Sequence, residues 1–372
     1  MLYPNEQLTQ ICLPEEELIR YYGCHTLAFF GLAPENLHFL APDEEGLVNY
    51  RLVNNVAIVL GDPVCKPESV ERVTRSFLNF CAFRHWHVAF YQVYPDHLAT
   101  YRDLKLRAFK IGEEAIINPQ TFTLKGSAMA NVRTSSRRAE REGVSIQWYE
   151  GVPPTEVIDQ LEELSSTWLK SKAGEHASEM GFSMGKLDEL VGTARRADMI
   201  ASISTRQHVS HTTAPRLVTA VATTSSGKAC AFVTFTPIYG TLTTDSDAQP
   251  QFQGWGWTLD LMRRASDAPP GVMELLLTRA MERFRSCNAQ AVSLGMVAMS
   301  DTKQEIPRGQ QLLMKITADR LGLFKNCHTL FNFKQKFQPN WDSRYVVTSA
   351  TLALPKVALA ILRVRNYSEK FR

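Results

Sequence analysis

The chain presents one order of secondary-structure elements twice, once in each half, and this repeat constrains the fold more than any single motif. The order is a hairpin of alternating strands, a helix, a strand, a second helix and a last strand. Turn chemistry between the alternating strands, Asn54-Asn55 in one copy and Ser225–Lys228 in the other, predicts closely paired antiparallel strands. The first copy comprises the hairpin Leu47–Leu60, the helix Pro67–Arg84, the strand His87–Val93, a helical pattern ending at Arg107 and the strand Glu113–Ile117. The second comprises the hairpin Leu217–Phe235, the helix Gly271–Arg285, the strand Ala291–Val297, the helix Gln310–Leu321 and the strand Leu330–Phe337.

Two such copies predict an α+β protein built of tandem domains, each with a mixed central sheet flanked by helices. The 372 residues suffice for two domains that each bury a core. Hydrophobic residues make up 44% and charged residues 21%, which is typical of a globular chain and excludes wholesale disorder. We place the first domain at 1–122, a basic connecting helix at 123–150 and the second domain at 151–372. The dipeptide Pro153-Pro154 opens the second domain, with Thr155 as the expected N-cap of its first helix.

Cysteine usage and hydropathy indicate a cytoplasmic protein without a transmembrane segment. The seven cysteines are scattered and form no CxxC pair, which is typical of reduced thiols. Cys81, His85 and His87 have metal-like spacing but lack further ligands, so we expect no metal. No apolar run approaches the roughly 20 residues that a membrane span requires. The segment 352–372, apolar with a basic tail, is expected either to lie on a membrane surface or to cover the core as a helix.

A basic helix is predicted between the two copies, over Thr123–Gly143. Its arginines share one helical face because their spacings follow the helical period. The face also carries Glu140 and Glu142, so it is either a solvated surface or a track for the phosphates of a polyanion, with which guanidinium groups pair bidentately. The net charge of +3 does not by itself indicate nucleic-acid binding. The arginines are Arg133, Arg137, Arg138 and Arg141.

The segments that follow the two hairpins argue against acetyl-CoA as a co-substrate. GNAT-type acyltransferases, which have this architecture, usually hold the cofactor pyrophosphate on a glycine-rich turn that offers several backbone N–H donors. Neither copy has such a turn: GDPVCKPES (Gly61–Ser69) and DLMRRASDAPPG (Asp260–Gly271) contain prolines instead. Another activated acyl donor is therefore expected, with no bound cofactor.

The run GWTLDLMRR (Gly256–Arg264) carries the strongest catalytic candidates. On a helix, Asp260 and Arg263 would project from one face, because they are three residues apart. The segment is largely apolar, so both charges would be partly desolvated, which is costly unless they serve each other or a ligand. Asp260 could orient an ammonium group or accept a proton, and Arg263 could bind a phosphate. A local surface ion pair is the alternative.

A second basic group is predicted near the C-terminus. Lys334 and Lys336 alternate on a predicted strand and would share one face, to which Arg344 adds a third cation. This group either binds substrate or forms a solvated strand face.

At these residues the chain resembles the C-terminal catalytic domain of bacterial phosphatidylglycerol lysyltransferases and alanyltransferases. The resemblance covers nearly the whole chain, and the ordered series of motifs is more specific than any one of them. The motifs are NYRLVNNVAIVLGDPV, FYQV, KIGEEAIINPQTFTLKG, EMGFSMGKLDE, GWTLDLMRR, PPGVMELLL, VSLGM and FNFKQKFQPNWDSRYV.

The resemblance implies two GNAT-type domains joined by the basic helix, with 1–122 on the lipid side and 151–372 on the aminoacyl-tRNA side. By matching motif positions, it implies catalytic roles for Asp260, Arg263 and Glu179. The substrate-binding residues that it and the basic group imply are Lys334, Lys336, Glu113, Glu114 and Arg344.

The implied activity is transfer of an amino acid from a charged tRNA to a lipid hydroxyl, with phosphatidylglycerol as the lead acceptor. The expected partners are charged tRNA and a membrane lipid, with peripheral membrane contact through 352–372. Three alternatives stay open: a sterol (ergosterol 3-hydroxyl) acceptor, a peptide-amine acceptor, and a non-catalytic protein that binds tRNA or lipid.

Overall fold

The computed structural model describes residues 14–42, 45–173, 181–183, 185–204, 215–240, 255–298, 327–349 and 354–365. The strands are β1 (Leu37–Leu40), β2 (Gly46–Val53), β3 (Val56–Leu60), β4 (Val64–Cys65), β5 (His87–Val93), β6 (Arg107–Ile117), β7 (Ser145–Glu150), β8 (Val218–Thr223), β9 (Ala229–Ile238), β10 (Gly256–Arg264), β11 (Ala291–Ala298) and β12 (Asn340–Thr348). The α-helices are α1 (Pro14–Tyr22), α2 (Val70–Phe83), α3 (Leu98–Asp103), α4 (Ala130–Arg141), α5 (Thr155–Ala173), α6 (Leu187–Ser204), α7 (Val272–Ser286), α8 (Cys327–Gln335) and α9 (Leu354–Arg365).

The described strands form one continuous mixed sheet flanked by helices, which confirms the predicted α+β class. The order is β1-β2-β3-β5-β12-β6-β11-β10-β9-β8-β7, with β4 paired to β2 outside this row. In the first half, the antiparallel strands β1, β2 and β3 lead through α2 to β5, which is parallel to β3. In the second half, the antiparallel strands β8, β9 and β10 lead through α7 to β11, which is parallel to β10.

The last strand of each half lies against the other half. Strand β12 of the second half inserts between β5 and β6 and runs antiparallel to both. Strand β6 of the first half in turn pairs with β11. The centre of the sheet, β5-β12-β6-β11, therefore alternates between the two halves, and the proposed domain limits at 122 and 151 stay a prediction.

Local sequence explains the first hairpin. Asn54 and Asn55 both adopt left-handed φ values, 50° and 58°, which a two-residue hairpin turn of matching twist requires and asparagine tolerates. The strand after the turn, β3, is buried along its whole length, in keeping with its continuous apolar run VAIVL. The hairpins at Leu47–Leu60 and Leu217–Phe235 are both confirmed.

Three apolar clusters hold the layers together. The α2 core packs α2 and α3 on one face of the first half and includes Phe77 and Phe90. The α7 core packs α4 and α7 on the second half and includes Trp257 and Phe284, whose rings stack at 4.4 Å. The shared core draws on both halves, joining β3 to β9 and β10 beneath α9 and α5.

Two predicted elements are wrong in type. GWTLDLMRR is the strand β10, not a helix, because it lies between β9 and β11 and pairs with both. The segment Leu330–Phe337 is not a strand: Cys327–Gln335 is helical, and the rings of Phe333 and Phe337, one helical turn apart, pack against each other at 5.7 Å. The strands β7 and β12 had no predicted counterpart.

The described part of the C-terminal helix covers the core, which was one of the two alternatives for the segment 352–372. Helix α9 buries its apolar stripe, which includes Val357, Ile361 and Val364, in the shared core against β3. Of the predicted membrane segment 352–372, residues 354–365 thus cover the core. No helix among the described residues has the length and apolar character needed to cross a bilayer. The predicted helix Gln310–Leu321 lies outside the described residues.

Candidate functional site

Strands β10 and β11 run side by side for only three residue pairs and then separate. The pairs join Gly256–Thr258 to Ala291–Ser293. Beyond them, the register of β10 against β9 shifts between Leu259 and Met262. A bulge of this kind bends the strand and interrupts the ladder of hydrogen bonds. We call the resulting gap the β10–β11 cleft.

The bulge reverses which face of the sheet the side chains of β10 occupy. Trp257 and Leu259 belong to the α7 core, whereas Leu261 belongs to the shared core on the other face. Asp260 stands at the point of reversal and is half-buried. Its Oδ1 atom accepts a hydrogen bond from the backbone N–H of Gly185, 2.8 Å away, just before α6 begins. The carboxylate thus links the bulge to the segment that enters α6.

Lys334 of α8 lines the β11 side of the cleft. Strand β11 is itself irregular between Ser293 and Met296, where Gly295 takes a left-handed φ of 83°. The Nζ atom of Lys334 donates to the carbonyl oxygens of Gly295 at 2.9 Å and Met296 at 3.3 Å, and the residue is 4% exposed. A Cβ atom added to Gly295 would lie 3.4 Å from that Nζ and 3.6 Å from the Leu259 carbonyl oxygen. The Lys334 ammonium and the Leu259 carbonyl, at the start of the bulge, therefore both lie next to Gly295.

Arg263 faces away from the α7 core. Its guanidinium carbon lies 4.3 Å from the ring centroid of Trp168 on α5, and the residue is 8% exposed. Such stacking stabilises a cation that is largely removed from water. The predicted grouping of Asp260 and Arg263 on one helical face is wrong, since the segment is a bulged strand.

Glu114 of β6 and Arg344 of β12 form an ion pair at the centre of the sheet. Arg344 Nε donates to Glu114 Oε2 at 2.7 Å, and the two side chains are 1% and 2% exposed. Ser293 Oγ donates to the other carboxylate oxygen at 2.5 Å and accepts the N–H of Gly295 at 2.8 Å. Removing either partner of such a pair leaves a buried charge uncompensated, which typically costs about 3–5 kcal/mol.

A cavity of about 240 Å³ lies in the first half, where the chain leaves β3 beside the end of β5. Asp62, two residues after the end of β3, is buried and accepts hydrogen bonds from Tyr94 N–H and Tyr101 Oη–H, each at 2.9 Å. Burial raises the pKa of the Asp62 carboxyl above its usual value, partly opposed by these donors. His25 also lines the cavity.

His25 presents a buried donor to this cavity. Its Nδ1 accepts the N–H of Leu27 at 3.3 Å, so the proton of the neutral ring resides on Nε2. That Nε2 atom has no hydrogen-bond partner among the described residues, although the side chain is 4% exposed. Burial, aided by the charge of Arg344, lowers the pKa of His25 from 6.5 to about 4. The ring is thus neutral at physiological pH.

Tyr94 connects the cavity to the buried ion pair. It lines the cavity, and the guanidinium carbon of Arg344 lies 3.7 Å from its ring centroid. A continuous series of contacts therefore crosses the middle of the sheet, from the cavity to the β10–β11 cleft. Its members are Tyr94, Arg344, Glu114, Ser293, Gly295 and Lys334.

Comparison with known proteins assigns this architecture. Residues 16–348 match the family model described as phosphatidylglycerol lysyltransferase, C-terminal. The chain belongs to this family.

Curated relatives and solved structures agree with the match. The phosphatidylglycerol lysyltransferase of Bacillus subtilis is 24% identical over 358 residues, covering 94% of this chain and 36% of the relative. That of Staphylococcus xylosus is 25% identical over 354 residues, covering 94% and 37%. The structure of L-PGS from Bacillus licheniformis has the same fold, with a TM-score of 0.76 at 24% identity and coverage of 96% and 97%. The chain thus spans little more than a third of the length of these curated relatives.

In this member of the phosphatidylglycerol lysyltransferase C-terminal family, the series of contacts at the centre of the sheet joins three of the predicted site residues: Lys334, Glu114 and Arg344. Asp260 lies beside this series, at the bulge of the adjacent strand β10. Others lie elsewhere. Lys336 pairs with Glu274 of α7 at 2.9 Å, so the predicted shared face of Lys334 and Lys336 is wrong. Glu113 points to the opposite side of β6 from Glu114 and pairs with Lys110 at 2.6 Å. Glu179 lies outside the described residues.

The predicted arginine track on α4 divides into two kinds of residue. Arg133 donates to the carbonyl oxygens of Leu124 and, at 3.1 Å, Gly126, so it ties down the loop before the helix. Arg137, Arg138 and Arg141 are exposed, and Arg138 pairs with Glu142 at 2.8 Å. These three residues remain the part of the track that a polyanion could reach.

The cavity residues were not predicted from the sequence. His25 stands in a segment without a recognised motif, Asp62 lies within the motif NYRLVNNVAIVLGDPV but had no predicted role, and Tyr94 follows a strand that reads as core. The only sequence signal was Gly61-Asp62-Pro63 after β3. There, a carboxylate follows a fully apolar run at the carboxyl end of a strand that is parallel to β5.

Proposed function

We propose that this protein transfers an amino acid from a charged tRNA to a lipid hydroxyl, with phosphatidylglycerol as the lead acceptor. The observation that carries the proposal is the family match over residues 16–348, together with relatives named phosphatidylglycerol lysyltransferase that align with 94% of the chain. Two charged side chains beside the β10–β11 cleft, Asp260 and Lys334, support the proposal from the structure.

The reaction is a direct acyl transfer. The lipid hydroxyl oxygen forms an ester bond to the aminoacyl carbonyl carbon, and the ester bond to the terminal ribose oxygen of the tRNA breaks. The proton of the lipid hydroxyl ends on that ribose oxygen. Because the donor ester is already activated, the enzyme mainly has to juxtapose it with the hydroxyl, an effect worth several kcal/mol of barrier. No bound cofactor is required.

Asp260 is proposed to bind the ammonium of the aminoacyl group. Its carboxylate stands half-buried at the bulge of β10, where charge-assisted hydrogen bonds would hold the ammonium. Lys334, across the cleft, is proposed to stabilise the negative charge that develops on the carbonyl oxygen in the transition state. The exposed arginines of α4 would contact the tRNA backbone as phosphate ligands.

The test is a transfer assay with labelled amino acids. The protein is incubated with total charged tRNA and a lipid extract, and the label is counted in the organic phase. Asp260→Asn keeps an oxygen that can accept the Gly185 N–H but removes the charge, so it should lower transfer at least about a hundredfold without unfolding the protein. Asp267→Asn, outside the cleft in the loop before α7, is the matched control and should retain activity.

The outcomes separate the alternatives. Label in phosphatidylglycerol supports the proposal, whereas label in a sterol fraction supports the alternative acceptor. Label only in peptide supports an amine acceptor, and no transferred label at all supports a binding protein without catalysis. Wild-type transfer by Asp260→Asn would reject the role of this carboxylate.

A further inference from the structure

Two helices of the first half end at the same edge of the sheet. Helices α2 and α3 each run opposite to the strand that follows, β5 or β6, so their C-terminal ends lie beside the starts of those strands. Only β12 separates the two strands, and its Thr348 lies opposite both Ala89 and Arg107. The turns after α2 and α3 are therefore neighbours. We call this surface the α2–α3 edge, defined by Phe83, Arg84, His85, His87, Arg102, Lys105 and Arg107.

The α2–α3 edge carries an exposed apolar side chain. Phe83 is 86% exposed, the highest value among the large hydrophobic residues that the structure describes. Phe83 lies about one helical turn after Phe80 on α2. Phe80 is half-buried, and its ring lies 5.8 Å from that of Trp86 and 5.0 Å from that of Phe39. Leu37, on the same face of β1 as Phe39, is 46% exposed. Exposed aromatic and aliphatic surface of this kind marks a site that gains free energy by entering an apolar phase.

The same edge is strongly basic. Residues 83–87 and 102–107 contain four arginines and lysines and one carboxylate, Asp103. Arg84 stacks over Phe80 and Trp86, with its guanidinium carbon 4.7 and 5.3 Å from the ring centroids. Cations at helix C-termini stabilise the helix locally, but that effect gives no reason for an exposed phenylalanine among them. Basic and aromatic side chains together are the composition that anionic membrane surfaces attract.

The edge also has a favourable position relative to the cleft. Strand β11 is antiparallel to β6, so the β10–β11 cleft opens towards the edge at which β6 begins. Helix α9 offers a weaker alternative, because its apolar stripe is buried and Leu359 is its only large hydrophobic residue recorded as exposed within the described part.

We propose that the α2–α3 edge is the surface by which the protein docks on an anionic lipid bilayer. Phe83 inserts at the level of the headgroups, and Arg84 and Lys105 face the lipid phosphates. The inference rests on the proposed function, since a lipid acceptor has to be taken from a membrane. It moves the membrane contact from the predicted segment 352–372 to another part of the chain.

Vesicle co-sedimentation tests the proposal with the full chain and no tRNA. Wild-type protein should bind vesicles that contain phosphatidylglycerol, more weakly as salt rises, and bind phosphatidylcholine vesicles poorly. Phe83→Ser should lower the partition coefficient about tenfold, the effect of losing one largely buried aromatic side chain. Lys105→Gly should lower it about fivefold, as expected for one cation near an anionic surface. Lys105 has a left-handed φ of 62°, which glycine adopts freely, so this variant keeps the fold.

Leu359→Ser is the matched control, because it removes an exposed hydrophobic side chain from α9 instead. Its vesicle binding should equal that of the wild type. Loss of binding in Leu359→Ser with normal binding in Phe83→Ser would overturn the proposal in favour of α9, and so would wild-type protein that ignores anionic vesicles. An assay of aminoacyl transfer to detergent-dispersed lipid, which needs no docking on a bilayer, separates the docking hypothesis from the proposed function. If vesicle binding falls in Phe83→Ser but no variant transfers label, the docking surface stands and the proposed function fails.

Discussion

Arg344 Nη2 lies 2.6 Å from Glu114 Oε2, and 230 residues of chain separate the two partners. The pair joins β12 to β6, the two strands that the halves exchange. We expect Glu114→Gln and Arg344→Met each to lower the free energy of unfolding by about 3–5 kcal/mol, because each leaves one buried group without its counter-charge. Urea denaturation measures both. The double variant should lose less than the sum, and strict additivity would show that the pair does not act as a unit.

Lys334 and Lys336 should differ sharply despite their proximity in sequence. Lys334→Met leaves the carbonyl oxygens of Gly295 and Met296 without their buried donor, so unfolding should become easier by about 1–3 kcal/mol. Lys336→Met removes only a partly exposed ion pair with Glu274 and should change stability by less than about 1 kcal/mol. Thermal melts of the two variants provide the comparison. Equal losses would contradict the buried position of Lys334.

His25 should make stability depend on pH. Its pKa is about 4 in the folded protein and 6.5 in the unfolded chain, so below pH 6.5 the unfolded state binds a proton that the folded state does not. The free energy of unfolding therefore falls as pH drops from 6.5 towards 4, by ~2 kcal/mol at about pH 5. Urea denaturation at about pH 7.5 and about pH 5 should show this loss in the wild type. The His25→Asn variant should show a smaller loss, and an identical pH response would remove His25 as the cause.

The arginines of α4 should separate into a binding and a structural class. If the exposed residues contact tRNA phosphates, the double variant Arg137→Ala/Arg141→Ala should weaken tRNA binding and reduce the slope of log affinity against log salt by about 1.4. Arg133→Ala should instead lower the melting temperature, since its guanidinium holds the carbonyl oxygens of the preceding loop. Filter binding across a salt series and a thermal melt distinguish the two classes. An unchanged salt slope in the double variant would exclude this face from tRNA contact.

Elements with a strong local signal could be predicted from the sequence. The Asn54-Asn55 turn, the strand His87–Val93 and the helix begun at Thr155 all combine a local pattern with matching flanks, and all three form as expected. The type of β10 could not be predicted, because Trp257, Leu259 and Leu261 fit a buried helix as well as a buried strand until β9 and β11 are known to flank them.

The candidate site could be predicted only in part, again because its geometry depends on contacts between elements that are distant in sequence. Asp260, Lys334 and Glu114 were found by motif and Arg344 as part of a basic group, but their mutual placement depends on two bulges and on β12, none of which has a local signature. Lys334 and Lys336 alternate in sequence, yet a helix directs them to different partners. His25 and Asp62 meet only through the fold, since the hydrogen bonds of Asp62 come from residues 32 and 39 positions away.

The interleaving of β12 between β5 and β6 has a consequence for biogenesis. When the ribosome has made β5 and β6, more than 200 residues remain to be added before the strand that will lie between them. Their facing edges stay open until β12 emerges, exposed to wrong partners. Native pairing at the centre of the sheet therefore waits for β12 and closes a loop of more than 200 residues. A nascent chain stalled before Asn340 should remain sensitive to protease between β5 and β6.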